Sequence, residues 1–120
     1  MDILVGTTKG LFVLEGWRRL AGPFCEGWPI NHAVGKGEEI WAAGGSGWHG
    51  AGIWRRAKGE WSVSKGPFEG AEQLWSLALD RDRLLAGSKP AYLYESLDRG
   101  ETWRRLDALT DQPGAEQWMP

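Results

Sequence analysis

The stretch "EWSVSKGPF" at residues 60–68 is matched by "GWRRLAGPF" at residues 16–24, and both end in the triplet Gly-Pro-Phe. The two triplets lie 44 residues apart. A third stretch, "TWRRLDAL" at residues 102–109, repeats the tryptophan near its start. The tryptophan recurs with spacings of 44 and 42 residues, so the chain is built from a repeated unit.

Short apolar runs of matching character precede these stretches. They read "ILVGTT" (3–8), "IWAAGG" (40–45) and "LLAGSK" (84–89), and each is too short for an amphipathic helix. With 18 Gly and nine Trp in 120 residues, the composition favours strands and turns. We predict an all-β fold. About four strands in each 40–45-residue repeat is typical of a β-propeller blade. An antiparallel sandwich also has short strands, but it does not predict matching triplets 44 residues apart.

The repeats divide the chain into about three four-stranded blades within one propeller segment, residues 1–120. We place a partial blade at 1–24, full blades at 28–68 and 74–109, and a tail at 110–120 that leads into a further inner strand. About three blades do not close a ring. We therefore expect the ring to be completed by a homo-oligomer, most simply a dimer, or by the remainder of a longer propeller.

The tryptophan at the start of each fourth strand keeps a regular distance from the strand before it. The last aromatic residue of the third strand precedes it by 5, 7 or 9 residues, in the pairs Phe12–Trp17, Trp54–Trp61 and Tyr94–Trp103. Because side chains alternate between the faces of a strand, steps of two keep the tryptophan on one face. We expect all three tryptophans to pack between blades, in fourth strands at 17–23, 61–67 and 102–107.

Composition and charge exclude several classes of function. The net charge is −2 with scattered Lys and Arg, which excludes a nucleic-acid-binding stripe. Cys25 is the single cysteine, so there is no internal disulfide and no cysteine-based zinc site. Two histidines are too few for a metal cluster, and we expect neither a metal nor a cofactor. The start "MDILVGTTKG" has neither a signal-peptide pattern nor a membrane span, so we expect a cytoplasmic protein.

The stretch "SLDRGETW" at 96–103 combines a hydroxyl, a carboxylate and a glycine turn, as a catalytic site does. The corresponding shorter turns, "LEGW" (14–17) and "RRAKGEW" (55–61), keep Gly and Trp but lack the Asp. A catalytic residue would not be optional between repeats. We therefore expect a structural role for the characteristic residues of this turn, which are Ser96, Asp98, Gly100, Thr102 and Trp103.

The same stretch resembles the Asp-box, S-x-D-x-G-x-T-W, of BNR-repeat propellers such as sialidases and sortilin-type receptors. "GTTKGLFVL" (6–14) and "GSGWHG" (45–50) are similar to bacterial BNR or YVTN-like propellers that are often labelled glycosyl hydrolases. The resemblance implies a propeller. For its sialidase branch it also implies glycoside hydrolysis by an arginine triad, a tyrosine–glutamate nucleophile pair and an aspartate acid/base. The tyrosines of this chain, Tyr92 and Tyr94, fall in a predicted third strand.

Ligand binding is expected at the end of the blades opposite the Asp-box turn, where the loops between strands two and three and between successive blades converge. Loops that mix aromatic and polar groups suit a carbohydrate or another small polar ligand. The candidate residues there are Trp28, Asn31, His32, Trp48, His49, Trp75 and Lys89. Trp28 and Trp75 recur as Trp118 in the tail, so a packing role stays open for them, as a structural role does for His32.

No catalytic residue is assigned by the sequence. The carboxylates predicted on that loop side show no pairing pattern of the kind that glycosidases need; they are Glu26, Glu69, Glu72, Asp111 and Glu116. The expected function is a non-catalytic propeller scaffold that binds a small polar ligand or a protein partner. The alternative is a sialidase-like glycoside hydrolase or lyase.

Overall fold

The computed structural model describes residues 2–46 and 48–107. This part of the chain folds into eleven β-strands, and residues 2–46 and 48–106 contain no helix. The strands are β1 (Asp2–Thr7), β2 (Gly10–Glu15), β3 (Arg19–Phe24), β4 (Ile30–Lys36), β5 (Glu39–Ser46), β6 (Gly50–Ala57), β7 (Glu60–Ser64), β8 (Gln73–Asp80), β9 (Arg83–Lys89), β10 (Leu93–Ser96) and β11 (Arg104–Leu106).

The strands form three antiparallel sheets in which spatial order follows chain order. Sheet 1 contains β1–β3, sheet 2 contains β4–β7 and sheet 3 contains β8–β11. The predicted all-β class is thus confirmed, with sheets of three, four and four strands. Nothing in the described part of the chain is a helix long and apolar enough to cross a membrane.

Burial along the strands shows which sheet is in the middle. In β9 the residues Leu84, Ala86 and Ser88 are buried and alternate with more exposed neighbours, as in a strand with one covered face. In β5 the whole run from Ile40 to Gly45 is buried. Loss of the period of two means that both faces of β5 are covered, because sheet 2 lies between the other two sheets.

Two apolar clusters fill the spaces between the sheets. The first contains Leu11 and Val13 of sheet 1 with Ile40 and Ala42 of sheet 2. The second contains Trp41 and Ile53 of sheet 2 with, from sheet 3, Leu77, Leu84, Ala86 and Tyr94. Burying a large apolar side chain contributes about 1.5–3 kcal/mol, so these clusters hold the sheets together.

A pair formed by a phenylalanine and a tryptophan bridges each of the two spaces. The ring of Trp61 in sheet 2 stacks on Phe24 of sheet 1, with ring centroids 5.5 Å apart. The ring of Trp103, just before β11, meets Phe68 edge-on at 5.9 Å. Each phenylalanine comes from a Gly-Pro-Phe triplet, so the sequence repeat corresponds to a repeated contact between neighbouring sheets.

The prediction for Trp17 is wrong. Trp17 lies in the turn before β3 with φ of 67°, and 70% of its surface is exposed. Leu20 takes the place in sheet 1 that Trp61 has in sheet 2. Leu20 pairs with Leu14, and Trp61 pairs with Arg56, which is the residue of sheet 2 that corresponds to Leu14. The turn has an extra residue, because Glu15 pairs with Arg19 while Ala57 pairs with Glu60. That insertion moves the tryptophan out of the strand.

The outer strands are also shorter than predicted. β7 ends at Ser64, because Gly66 and Pro67 follow and proline donates no ladder hydrogen bond. β11 spans three residues, since the turn before it extends to Trp103. Within residues 2–46 and 48–107, β1 pairs only with β2 in sheet 1. The tail predicted at 110–120 lies outside the described residues, and the blade boundaries remain a prediction.

Candidate functional site

The loops that join successive sheets and the turns between second and third strands lie at one end of the molecule. Backbone bonds join them: Gly27 N donates to Lys9 O, Gly45 N to Pro29 O and Glu72 N to Lys89 O. We call this end the loop face; it comprises residues 8–9, 25–29, 48–49, 65–72 and 90–92. The opposite end, with turns at 16–18, 37–38, 58–59, 81–82 and 97–103, is the turn face.

Trp28 is the packed centre of the loop face. It is 7% exposed, and the ring of His49 stacks on it with centroids 4.6 Å apart and planes 18° apart. Lys65 Nζ lies 5.7 Å from the Trp28 ring centroid, and Trp54 meets the indole edge-on at 5.7 Å. A side chain on Gly52 would come within 2.8 Å of the indole. Trp28 is therefore enclosed by protein.

His49 is held by hydrogen bonds as well as by stacking. Its Nε2 lies 3.0 Å from the carbonyl oxygen of Gly27, and its own carbonyl accepts a 3.0 Å bond from Lys65 Nζ. The backbone N–H groups of Trp48 and His49 both donate to Ser46 Oγ, at 3.2 and 3.1 Å. These two bonds tie the backbone of Trp48 and His49 to the Ser46 side chain.

Asn31 and His32 join the first strands of sheets 2 and 3. Leu77 N donates a 2.8 Å bond to His32 Nδ1. Asn31 Nδ2 donates to Leu74 O at 2.8 Å and to Gln73 Oε1 at 3.1 Å. Because Nδ1 accepts a backbone N–H, the neutral His32 ring carries its proton on Nε2. Both side chains thus have structural partners, while their outer surfaces stay exposed.

Two indoles of the candidate set are exposed. Trp48 is 91% exposed at the tip of the β5–β6 loop, and Trp75 is 45% exposed in β8. Trp75 lies where the β8–β9 register shifts, between Leu74 and Ser76. The ammonium of Lys89 lies 4.0 Å from a carboxylate oxygen of Glu72. The structure therefore leaves Trp48, Trp75 and the partly exposed Lys89 available to a ligand.

Cys25 lies in the same loop as Trp28, but its thiol is shielded. It is 6% exposed, and burial raises the pKa of the thiol to about 12. A nucleophilic or metal-binding cysteine must be a thiolate. Cys25 is therefore an apolar packing residue of the first cluster.

Burial decides whether a tyrosine of this chain can reach a substrate. Tyr94 is fully buried, and burial raises the pKa of its phenol. Tyr92 is half-buried beneath the Arg105 guanidinium, whose carbon lies 5.1 Å from the ring centroid. A nucleophile must touch its substrate, which Tyr94 cannot do in this structure.

The stretch at 96–103 forms a closed hydrogen-bonded turn. Ser96 Oγ donates to Asp98 Oδ1 at 2.8 Å and accepts from Gly100 N at 2.8 Å. Asp98 also accepts from Thr102, from the hydroxyl at 2.5 Å and from the backbone N–H at 2.9 Å. Trp103 Nε1 donates to Gly100 O at 3.2 Å. The hydrogen bond from the Thr102 hydroxyl, and then those from the Thr102 backbone N–H and the Ser96 hydroxyl, lower the pKa of Asp98 to about 2.

This turn also docks onto sheet 2, which the sequence did not indicate. Trp41 Nε1 donates a 2.8 Å bond to Arg99 O, and the Arg99 guanidinium forms an ion pair with Glu39. Arg55 holds the same Glu39 carboxylate at 2.9 Å. The turn at 96–103 therefore lies at the contact between sheets 2 and 3, on the turn face.

A buried carboxylate lies beside this turn. Glu95 is 5% exposed, and its two oxygens accept 2.7 Å bonds from Arg104 and Arg83. The Arg104 bond, with that of Arg83, holds the pKa of Glu95 below its usual range. Such a paired carboxylate remains ionised and is a poor proton donor.

The clefts at the turn face include two that are lined by Glu39. One, of about 660 Å³, is lined by Lys36, Glu38, Glu39, Arg55, Lys58 and Arg99. The other, of about 350 Å³, lies between sheets 1 and 2 beside Asp2 and Arg56. In the larger cleft, Arg55 and Arg99 both pair with Glu39, so these three charges neutralise one another in part.

Within the described residues, no group of three or more His, Cys, Asp or Glu side chains could hold a metal ion. A scan of the chain against protein-family models gives no match, and a search of the curated proteins gives none either.

Proposed function

We propose that the chain is a segment of a β-propeller, each sheet forming one blade, and that it serves as a non-catalytic binding scaffold. Three features support the blade assignment. The strands of each sheet follow chain order, and a Phe–Trp contact recurs between neighbouring sheets. The first strands of sheets 2 and 3 also have register shifts at equivalent places, Ile30/His32 and Leu74/Ser76, which lie 44 residues apart.

The observation that carries the binding proposal is the exposure of Trp48. An indole with 91% of its surface in water contributes almost nothing to folding, while the backbone N–H of Trp48 is bonded to Ser46 Oγ. An exposed indole is a stacking surface for an apolar sugar face or for a partner's side chain. The neighbouring His49 and Lys65 side chains add polar groups beside it.

The ligand class that fits is a neutral or weakly acidic carbohydrate. Trp48 and Trp75 offer aromatic faces, and Lys89 offers an ammonium whose only described ion-pair partner is 4.0 Å away on Glu72. Long ion pairs at exposed sites are weak, so this ammonium can exchange Glu72 for a ligand hydroxyl or carboxylate.

A glycan array on the wild-type chain and on Trp48→Ala tests the proposal. Trp17→Ala is the matched control, because Trp17 is 70% exposed on the turn face. We expect binding that Trp48→Ala removes and Trp17→Ala retains. Equal binding by all three chains would contradict the proposal.

A panel of fluorogenic glycosides tests the sialidase-like alternative on the same protein. Turnover that is lost in Glu26→Gln or Glu72→Gln, two carboxylates of the loop face, would replace the scaffold proposal by an enzymatic one. We expect no turnover above that of the protein-free control.

A further inference from the structure

Sheet 2 has a neighbouring sheet on each of its two faces. Its cross-strand pair Ala42–Trp54 faces sheet 1, in the first apolar cluster. Its other pair, Ala43–Ile53, faces sheet 3, in the second cluster. We call the first kind of face the A42 face and the second the A43 face.

Sheet 3 has its A42-type face covered. The pair Ala86–Tyr94 has the register of Ala42–Trp54, and both members are fully buried against sheet 2. The interface between sheets 2 and 3 thus joins the A43 face of one sheet to the A42-type face of the next. The interface between sheets 1 and 2 has the same order, because Leu11 in sheet 1 has the register of Ile53.

One face of each kind is left without a neighbour in the described part of the chain. In sheet 1, Val5–Phe12 is the A42-type pair; Val5 is 43% exposed, and Leu20, which lies opposite Leu14, is 64% exposed. In sheet 3, Gly87–Leu93 is the A43-type pair, and both residues are partly exposed.

These two open faces are the two halves of an interface that the chain already makes twice. We propose that a second copy of this chain covers them, with sheet 3 of one copy packing on sheet 1 of the other. The inference rests on the blade assignment above. Such a contact is head-to-tail, and two copies that make it in both directions close a ring of about six sheets.

The physical reason is the cost of the open face. Val5, Phe12 and Leu20 lie on the same face of sheet 1, and among the described residues no strand pairs with the outer edge of β1. An apolar sheet face next to an open strand edge is a site of association. The internal interfaces show that a sheet of this same repeat fits such a face.

Light scattering after gel filtration tests the proposal on the wild-type chain, whose mass is 13.3 kDa. We expect twice that mass. We expect Val5→Glu to reduce the mass to that of one chain, because it places a carboxylate in the open face. Val63→Glu is the matched control: Val63 is 41% exposed but belongs to sheet 2, which has both neighbours in the same chain, and its mass should remain doubled.

Mixing separates this geometry from a symmetric pairing of two sheet 1 faces. Leu93→Glu should also give single chains, whereas a symmetric dimer would tolerate it. When Val5→Glu and Leu93→Glu chains are mixed, each pair retains one intact contact, so a doubled mass should reappear, and folding of both variants is checked by circular dichroism. A monomeric wild type, a ladder of larger species, or a dimer insensitive to Leu93→Glu would overturn the proposal. None of these outcomes depends on glycan binding at Trp48.

Discussion

The indole N–H of Trp41, in the second strand of sheet 2, donates a 2.8 Å hydrogen bond to the backbone carbonyl of Arg99, 58 residues later in the turn at 96–103. Trp41 is 1% exposed, so this bond is made inside the contact between sheets 2 and 3. The turn that resembles an Asp-box therefore acts as an attachment between neighbouring sheets.

Removing the indole N–H should lower stability. In Trp41→Phe the ring is largely replaced, but the Arg99 carbonyl loses its donor, which costs about 1–3 kcal/mol. The free energy of unfolding in urea measures this loss. Trp48→Phe is the control, since Trp48 is 91% exposed and a surface change of this kind stays within about 0.5 kcal/mol. Equal effects of the two substitutions would contradict the attachment.

Gly100 should tolerate no side chain, for two separable reasons. Its φ is +90°, and an added Cβ would lie 2.8 Å from Trp41 Nε1. Gly59, with φ of +79° and open space around it, shares the first reason alone. We expect Gly100→Ala to destabilise the chain by about 1–3 kcal/mol more than Gly59→Ala, as overpacking does. Thermal or urea unfolding of the two variants gives the difference. Equal losses of stability would contradict the close approach of Gly100 to Trp41.

The Asp98 carboxylate makes the turn sensitive to acid. Its pKa is about 2 in the folded chain against 3.8 for a free side chain. Because the folded pKa is the lower one, the stabilisation is complete above about pH 4 and is lost as the pH falls toward 2. The stability difference between wild type and Asp98→Asn should therefore be constant above pH 4 and shrink below it. A difference that does not change with pH would contradict the hydrogen-bonded carboxylate.

Cys25 should resist alkylation in the folded chain. Its thiol is 6% exposed with a pKa of about 12, so at pH 8 almost no thiolate reaches solvent. Iodoacetamide should modify it slowly in buffer and rapidly in urea, as followed by mass spectrometry. The control is Ser62→Cys in a Cys25→Ser background, because Ser62 is exposed. Equal rates for the two cysteines would show that the loop around Cys25 opens.

The second strands of sheets 2 and 3 could be predicted from the sequence, and the last strands of the sheets less well. Apolar runs bounded by Gly, Asp and Lys correctly indicated β5 and β9, because these strands are buried and their residues are therefore apolar or small. Trp17 was misplaced because the one-residue difference between two turns changes which side chain enters the strand. The spacing of aromatic residues along the sequence does not reveal an extra residue in a turn.

The candidate site was predictable in its location and less so in its roles. The loop topology follows from strand order: the Trp28 loop meets the β5–β6 loop at His49, and the Lys89 turn meets the β7–β8 loop at Glu72. The partners of His32 and Asn31 come from sheet 3, 42 to 45 residues away, and no local pattern encodes such contacts. The Trp41–Arg99 bond was missed for the same reason.

A crystal structure of the 120-residue chain tests the blade assignment most directly. We expect the three sheets to fan around an axis with β4 and β8 nearest to it. We also expect Trp61 and Trp103 to pack on Phe24 and Phe68 between neighbouring sheets. A two-layer sandwich, in which sheet 1 packs face to face on sheet 3, would contradict it.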